Sequence, residues 1–138
     1  MKKVTISIIG SQTVPGSDED AFELITDGEY KRENGVSTFS YVESELTGYN
    51  GFQAIFNVEP DRVVLQRGGG AIGDMIFSEK QKHHFLYETP FGSITMGIFT
   101  RSIKKNMRDD GGDLEIRYNI EVDNVAVSCN SFKIGIKS

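Results

Sequence analysis

The feature that most constrains the fold of this chain is an alternation of apolar and polar residues between Leu114 and Asp123. Every second residue from Leu114 to Val122 is apolar, and the residues between them are charged or polar. A period of two is typical of a β-strand with one buried face. The same period recurs in segments 3–13, 22–30, 36–43, 52–58, 62–67 and 94–100, whereas no helical period extends beyond about two turns. The sequence therefore predicts an all-β protein.

A two-residue turn at Asn34–Gly35 predicts how two of these strands pair. Asn-Gly readily adopts positive φ, and it is the strongest short hairpin signal in the chain. The register set by this turn places Tyr30 opposite Phe39, Gly28 opposite Tyr41 and Thr26 opposite Glu43. Glu43 then lies on the apolar face, where a carboxylate needs a partner.

Pro90 and Gly92 mark a corner between two further strands. Proline cannot donate a hydrogen bond to a ladder and glycine accepts positive φ, so residues 89–92 are predicted to join the alternating runs on either side. Tyr87 and Thr89 share the parity of Phe85 and are expected to face the interior near the end of the strand.

The last strand requires an irregularity. Asp123–Asn124 is predicted to form a tight turn that places Val125, Val127 and Cys129 on the inner face. Phe132, Ile134 and Ile136 have the opposite parity. A β-bulge near Asn130–Ser131 would reconcile the two runs.

Eight to ten short sequential strands must protect their own edges, and closure into a meandering antiparallel β-barrel does so best. With 138 residues, the chain is most simply one domain spanning residues 1–138. A β-sandwich is the structural alternative.

The amino-acid composition excludes several classes of binding partner and structure for this chain. The net charge of −5 gives no footprint for nucleic acid or for an acidic membrane surface. The single cysteine, Cys129, excludes an internal disulfide framework. The apolar run at the N-terminus is too short for a signal peptide or a membrane span, so we expect a cytoplasmic location.

One glycine-rich segment imitates a nucleotide-binding motif. Residues 68–73 match G-x-G-x-x-G and follow a predicted strand. A dinucleotide site also needs a crossover helix and a parallel sheet, and the antiparallel pattern after Lys82 supplies neither. We therefore predict a glycine loop or a bulged strand end, and no cofactor.

The remaining reactive side chains form no recognisable centre. His83 and His84 are adjacent, so a strand directs them to opposite faces and they cannot chelate one metal ion. The acidic turn at Asp109, Asp110 and Asp113 lacks the ligand spacing of a calcium loop. Cys129 has no activating base in the sequence. We predict no metal site and no catalytic residue.

The inward parity of several polar residues predicts a partly polar barrel interior. If Val63 and Leu65 face inward, Arg67 does as well. The candidate ligand-binding residues are Tyr41, Glu43, Arg67, Tyr87, Thr89, Met96, Thr100 and Tyr118. In this hypothesis Glu43 and Arg67 orient the polar end of a ligand whose apolar part is held by Phe39, Phe85, Met96 and Ile116. The alternative is a buried ion pair that only fixes the strand register.

Short motifs along nearly the whole chain are similar to the YwiB-like family of small bacterial domains of unknown function. The matching residues are Tyr41-x-Glu43, Arg67-x-Gly69, Tyr87-x-Thr89-Pro90-x-Gly92 and Thr100. The resemblance implies a calycin-type β-barrel, distantly similar to lipocalins and fatty-acid-binding proteins, with no established activity. The chain contains no tryptophan and therefore lacks the G-x-W signature of true lipocalins.

Three functions follow from this reading. The first is a non-enzymatic barrel that binds a small, partly apolar and partly polar molecule in its interior. The second is a side-chain-filled barrel that acts as an interaction or assembly module, for example as a homodimer. The third is an enzyme that uses Glu43 as an acid or base.

Overall fold

Ten antiparallel strands form one continuous sheet in the computed structural model, which describes residues 1–43, 51–68 and 74–138, with the backbone alone for 68 and 87–89. The strands are β1 (Lys2–Thr13), β2 (Asp20–Glu33), β3 (Val36–Val42), β4 (Gln53–Val58), β5 (Val63–Gly68), β6 (Met75–Phe77), β7 (Lys82–Thr89), β8 (Gly92–Arg108), β9 (Gly111–Val122) and β10 (Val125–Lys137). Their order in the sheet is β6-β5-β4-β3-β2-β1-β10-β9-β8-β7.

The two edges of this sheet approach each other and make a nearly closed barrel. The turn between β6 and β7 bonds to β8: the amide of Lys80 donates to the carbonyl of Thr100 at 2.8 Å, and the amide of Thr100 donates to Gln81 at 3.2 Å. These bonds satisfy edge groups that would otherwise be open. The predicted antiparallel barrel of eight to ten strands is therefore confirmed, and the β-sandwich alternative is wrong because the described strands share a single sheet.

The barrel has two ends, which we call the base and the rim. The base carries the turns at 34–35, 59–62 and 109–110, and the rim carries those at 14–19, 90–91 and 123–124. Several side chains tie the base together: Lys105 Nζ donates to the Pro60 carbonyl at 2.9 Å, Arg32 Nη1 to that of Met107 at 2.7 Å, and the Tyr30 hydroxyl to that of Arg108. The base is thus cross-linked between turns that are distant in sequence.

The β2–β3 hairpin largely follows the predicted register. Asn34 and Gly35 both have positive φ, at 53° and 78°, and the predicted pairs Tyr30–Phe39 and Gly28–Tyr41 are present. The predicted Thr26–Glu43 pair is absent from the ladder, which ends at Gly28–Tyr41. Instead the amide of Glu43 donates to the carbonyl of Phe52 at 2.7 Å, so the strand end stays with β4.

The bulge predicted in the last strand exists, but at a different position. The register of β10 against β9 shifts between Ala126 and Ser128, so Val127 is the extra residue. The predicted inward positions of Val125 and Cys129 are wrong, since both are exposed and neither lines the barrel cavity, whereas Val127 is partly exposed but lines the cavity. Because the bulge lies close to the hairpin turn, Ser128 and Asn130 already share the inward parity of Phe132, Ile134 and Ile136.

Large apolar side chains fill the base half of the barrel. Phe39 stacks on Phe56 with ring centroids 4.8 Å apart, and Phe77 meets Tyr118 edge-on at 5.0 Å. Fully buried around them are Ile6, Ile8, Tyr30, Leu65, Ile98, Leu114, Ile116, Ile134 and Ile136. Burying one such side chain contributes about 1.5–3 kcal/mol, so this cluster is the main source of stability.

Within the described ranges, no helix has the length and apolarity needed to cross a membrane.

Candidate functional site

A cavity of about 760 Å³ lies in the rim half of the barrel. This volume falls within the range of about 300–1,000 Å³ that is typical of small-molecule sites. Much of its wall is apolar, with contributions from Ile8, Phe22, Met75, Phe85, Met96 and Ile120. The barrel is therefore filled at the base and open at the rim.

The space exists because two neighbouring strands change from large to small inward residues. Along β1 the inward positions run from Ile6 and Ile8 to Gly10, and Gly10 pairs with Phe132 of β10. A Cβ atom at Gly10 would lie 2.4 Å from the Phe22 ring, so only glycine leaves room for that ring beside the cavity. Further toward the rim, the buried side chains that β10 contributes to the cavity wall, Ser128 and Asn130, are polar and smaller than Phe132.

Three polar side chains form a buried cluster on the opposite wall. Arg67 Nε donates to Glu43 Oε1 at 3.3 Å, and the Tyr41 hydroxyl donates to the same oxygen at 3.4 Å. The Arg67 Nη1 atom lies 3.4 Å from the sulfur of Met75. Tyr41 and Glu43 come from the end of β3, and Arg67 from β5, which is separated from β3 only by β4. All four residues line the cavity.

Glu43 is the most deeply placed member of this cluster. Its side chain is 0% exposed and that of Arg67 is 8% exposed. The second carboxylate oxygen, Oε2, has no hydrogen-bond partner among the described residues. An unpartnered buried acceptor costs about 1–3 kcal/mol, and more when it is charged. A hydrogen bond to this oxygen from a bound molecule would therefore be favourable.

The hydroxyl of Tyr41 is held in its neutral form. Burial, reinforced by the negative charge of Glu43, raises the pKa of Tyr41 well above its usual range, although Arg67 opposes the shift. Tyr41 therefore acts as a hydrogen-bond donor to Glu43 throughout the neutral pH range.

A second polar group lies on the β1–β10 wall. Asn130 Nδ2 donates to the Ser128 hydroxyl at 2.9 Å, and the hydroxyls of Ser11 and Ser131 are 2.7 Å apart. All four residues line the cavity. Sequence reasoning misses Ser128 and Asn130 because it places the bulge near Asn130–Ser131, three to four residues after Val127, which reverses the facing of these two side chains.

The structure brings five of the eight predicted site residues to the cavity wall: Tyr41, Glu43, Arg67, Met96 and Tyr118. Thr100 is fully buried but lies outside the cavity lining, and its Oγ1 has no partner among the described residues. The side chains of Tyr87 and Thr89 lie outside the described part of the structure.

The predicted apolar contacts divide in the same way. Phe85 and Met96 line the cavity, whereas Phe39 and Ile116 are packed in the filled base half. A ligand in the cavity would therefore meet the first pair and not the second.

No group of three or more potential metal ligands occurs among the residues described. His83 and His84 occupy adjacent positions of β7; His83 is partly buried and His84 is exposed, as is Cys129. The side chains of Asp109, Asp110 and Asp113 are solvent-exposed and lie near Arg32 or Arg108. The glycine motif at 68–73 falls almost wholly outside the described residues.

Comparison with known proteins assigns the family. The family model described as "Domain of unknown function (DUF1934)" matches residues 6–134. The chain belongs to the DUF1934 family. The DUF1934 barrel also resembles the crystal structure of ywiB protein from Bacillus subtilis, with a TM-score of 0.83 and 20% sequence identity over 99% of this chain and 92% of that chain. This likeness confirms the barrel fold and, together with the family match, the predicted resemblance to YwiB. No curated protein sequence matches the chain.

Proposed function

We propose that this barrel binds a small, partly apolar molecule in its rim cavity. The observation that carries the proposal is the coincidence of a cavity of about 760 Å³ with the buried Tyr41–Glu43–Arg67 cluster on its wall. A mostly apolar pocket with a few convergent polar groups is the usual form of a small-molecule site. The expected cytoplasmic location stays a prediction from the sequence.

The cavity weighs against the alternative of a barrel filled entirely by its own side chains. Filling occurs at the base, where aromatic and branched residues interlock, but the same strands carry small or polar inward residues at the rim. A barrel whose role is only assembly has no need of this space, because unfilled volume lowers stability.

Nile red, a neutral dye whose fluorescence rises in apolar surroundings, tests whether the cavity binds. We expect the wild-type protein to enhance its emission, and Met96→Trp to reduce the enhancement because the larger side chain takes up part of the cavity. Ile25→Trp is the matched control, since Ile25 lies on the outer face of β2 and is exposed. Ala21→Trp, at the cavity wall near the start of β2, replaces Met96→Trp if that variant fails to fold.

Native mass spectrometry of freshly purified protein provides an independent readout. Retained mass in the wild type and in Ile25→Trp, with a smaller bound fraction in Met96→Trp, supports binding in the cavity. Equal dye binding by Met96→Trp and the wild type contradicts the proposal. A homodimer that carries no added mass and binds no dye favours the assembly alternative.

A further inference from the structure

The charges on the cavity wall determine which ligands it can accept. Three charged residues occur among the described lining residues: Asp20, Glu43 and Arg67. The single cation, Arg67, is already paired with Glu43 at 3.3 Å. The described part of the lining therefore carries an excess of negative charge, and a carboxylate or phosphate group would meet no uncompensated cation among these residues.

The hydrogen-bonding capacity of the cluster points in the same direction. Tyr41 and Arg67 both donate to Oε1 of Glu43, whereas Oε2 accepts no hydrogen bond within the described part of the chain. A carboxylate oxygen can only accept. The group that would complete this cluster is therefore a hydrogen-bond donor.

The ionisation of Tyr41 supports this reading. Burial and the charge of Glu43 raise the pKa of Tyr41, which means that this wall disfavours an additional negative charge. A ligand anion placed beside Tyr41 would meet the same two effects.

We propose that the ligand is a neutral or cationic amphiphile whose polar end donates a hydrogen bond to Glu43, such as a long-chain alcohol, amide or amine, and is not a carboxylate- or phosphate-headed lipid. This inference rests on the proposed binding function. Because the Glu43 side chain is 0% exposed, the hydrogen-bond donor of the ligand reaches Oε2 only after the Tyr41 hydroxyl or the Arg67 guanidinium has moved aside. The apolar tail lies against Phe85, Met96 and Ile120.

Three probes with the same ten-carbon chain but different head groups test the inference: decan-1-ol, decylamine and decanoate. Binding is followed by NMR of protein labelled at its methionine methyl groups. Met75 and Met96 line the cavity, whereas Met107 lies in the base half of β8 and serves as an internal control. We expect decan-1-ol and decylamine to shift Met75 and Met96, and to bind at least about tenfold more tightly than decanoate.

Glu43→Gln changes the head-group preference in a defined direction. It removes one negative charge, introduces an amide donor and leaves Arg67 without this counter-charge, so decanoate should gain about tenfold relative to decan-1-ol. Glu23→Gln removes the same charge on the exposed face of β2 and should leave the ratio unchanged. If Glu43→Gln does not fold, the wild-type ratio alone decides the inference.

The outcomes separate this inference from the proposed function. Decanoate binding as tightly as decan-1-ol, with shifts at Met75 and Met96, overturns the head-group assignment and leaves the binding function standing. If no probe shifts these two methyl groups, or if Met107 shifts equally, both the binding function and the inference are overturned.

Discussion

Removing Arg67 is the sharpest test of the buried cluster. Arg67→Met keeps most of the side-chain volume but leaves the Glu43 carboxylate, which is 0% exposed, without its cation. Breaking a buried ion pair at one partner costs about 3–5 kcal/mol, a large part of the 5–15 kcal/mol that stabilises an ordinary domain. The loss is measured by urea unfolding followed by circular dichroism.

The partner substitution should cost less than Arg67→Met. In Glu43→Leu the Arg67 side chain, which is 8% exposed, can extend its guanidinium toward the cavity and water. The double variant Glu43→Leu/Arg67→Met should recover much of the loss, with a coupling energy of about 2–3 kcal/mol, because replacing both charges by apolar groups removes the desolvation cost.

Arg62→Met provides the matched control. Arg62 and Glu59 form an ion pair at 3.1 Å, but their side chains are 45% and 28% exposed. Solvent screening limits such a pair to about 1 kcal/mol or less. The reasoning is refuted if Arg67→Met costs no more than Arg62→Met, or if the two cluster substitutions are simply additive.

Two further predictions concern the neighbourhood of this cluster. The pKa of Tyr41 is raised on folding, so its contribution to the free energy of unfolding is fully present below about pH 10 and is lost progressively above it, where the unfolded chain ionises first. Above about pH 10, stability should fall by about 1.4 kcal/mol per pH unit more steeply in the wild type than in Tyr41→Phe. Equal slopes of the two proteins in urea titrations at pH 9–11 would contradict this. Gly28→Ala places a Cβ 2.4 Å from both Ser40 O and Ile6 Cδ1, which should cost about 1–3 kcal/mol, whereas Gly97→Ala, whose nearest contact is 3.6 Å, should be close to neutral; a comparable loss in the two variants would argue against the close approach.

The predictable part of the site came from register and parity. Asn34–Gly35 fixed the pairing of Gly28 with Tyr41, and alternation along β3 and β5 then placed Glu43 and Arg67 inside. Both inferences need only the period of two and a turn of known length. The structure brings these two residues together although neither turn nor strand pattern specifies a contact across the intervening β4.

The remainder depended on features that local patterns do not encode. The sequence pattern requires a bulge in β10, but its position at Val127 depends on how β10 pairs with β9, and this position decides whether Ser128 faces the cavity. Likewise, Thr100 has the predicted inward parity but lies outside the cavity lining. The alternation of residues predicts which side chains face the interior, but the position of a residue between base and rim depends on how the strands are staggered in the assembled sheet.

The rim half departs from the best-packed barrel in two independent ways, and both departures face the same space. Ser128 and Asn130 leave volume that larger apolar residues could fill, and such filling would add stability. On the opposite wall, the Glu43–Arg67 pair carries the desolvation cost of two buried charges, which well-packed apolar residues would not carry. The base half shows that these same strands can carry residues that pack fully. Local exceptions to good packing are expected at functional sites, and their meeting at one cavity favours a binding role over a purely structural ion pair.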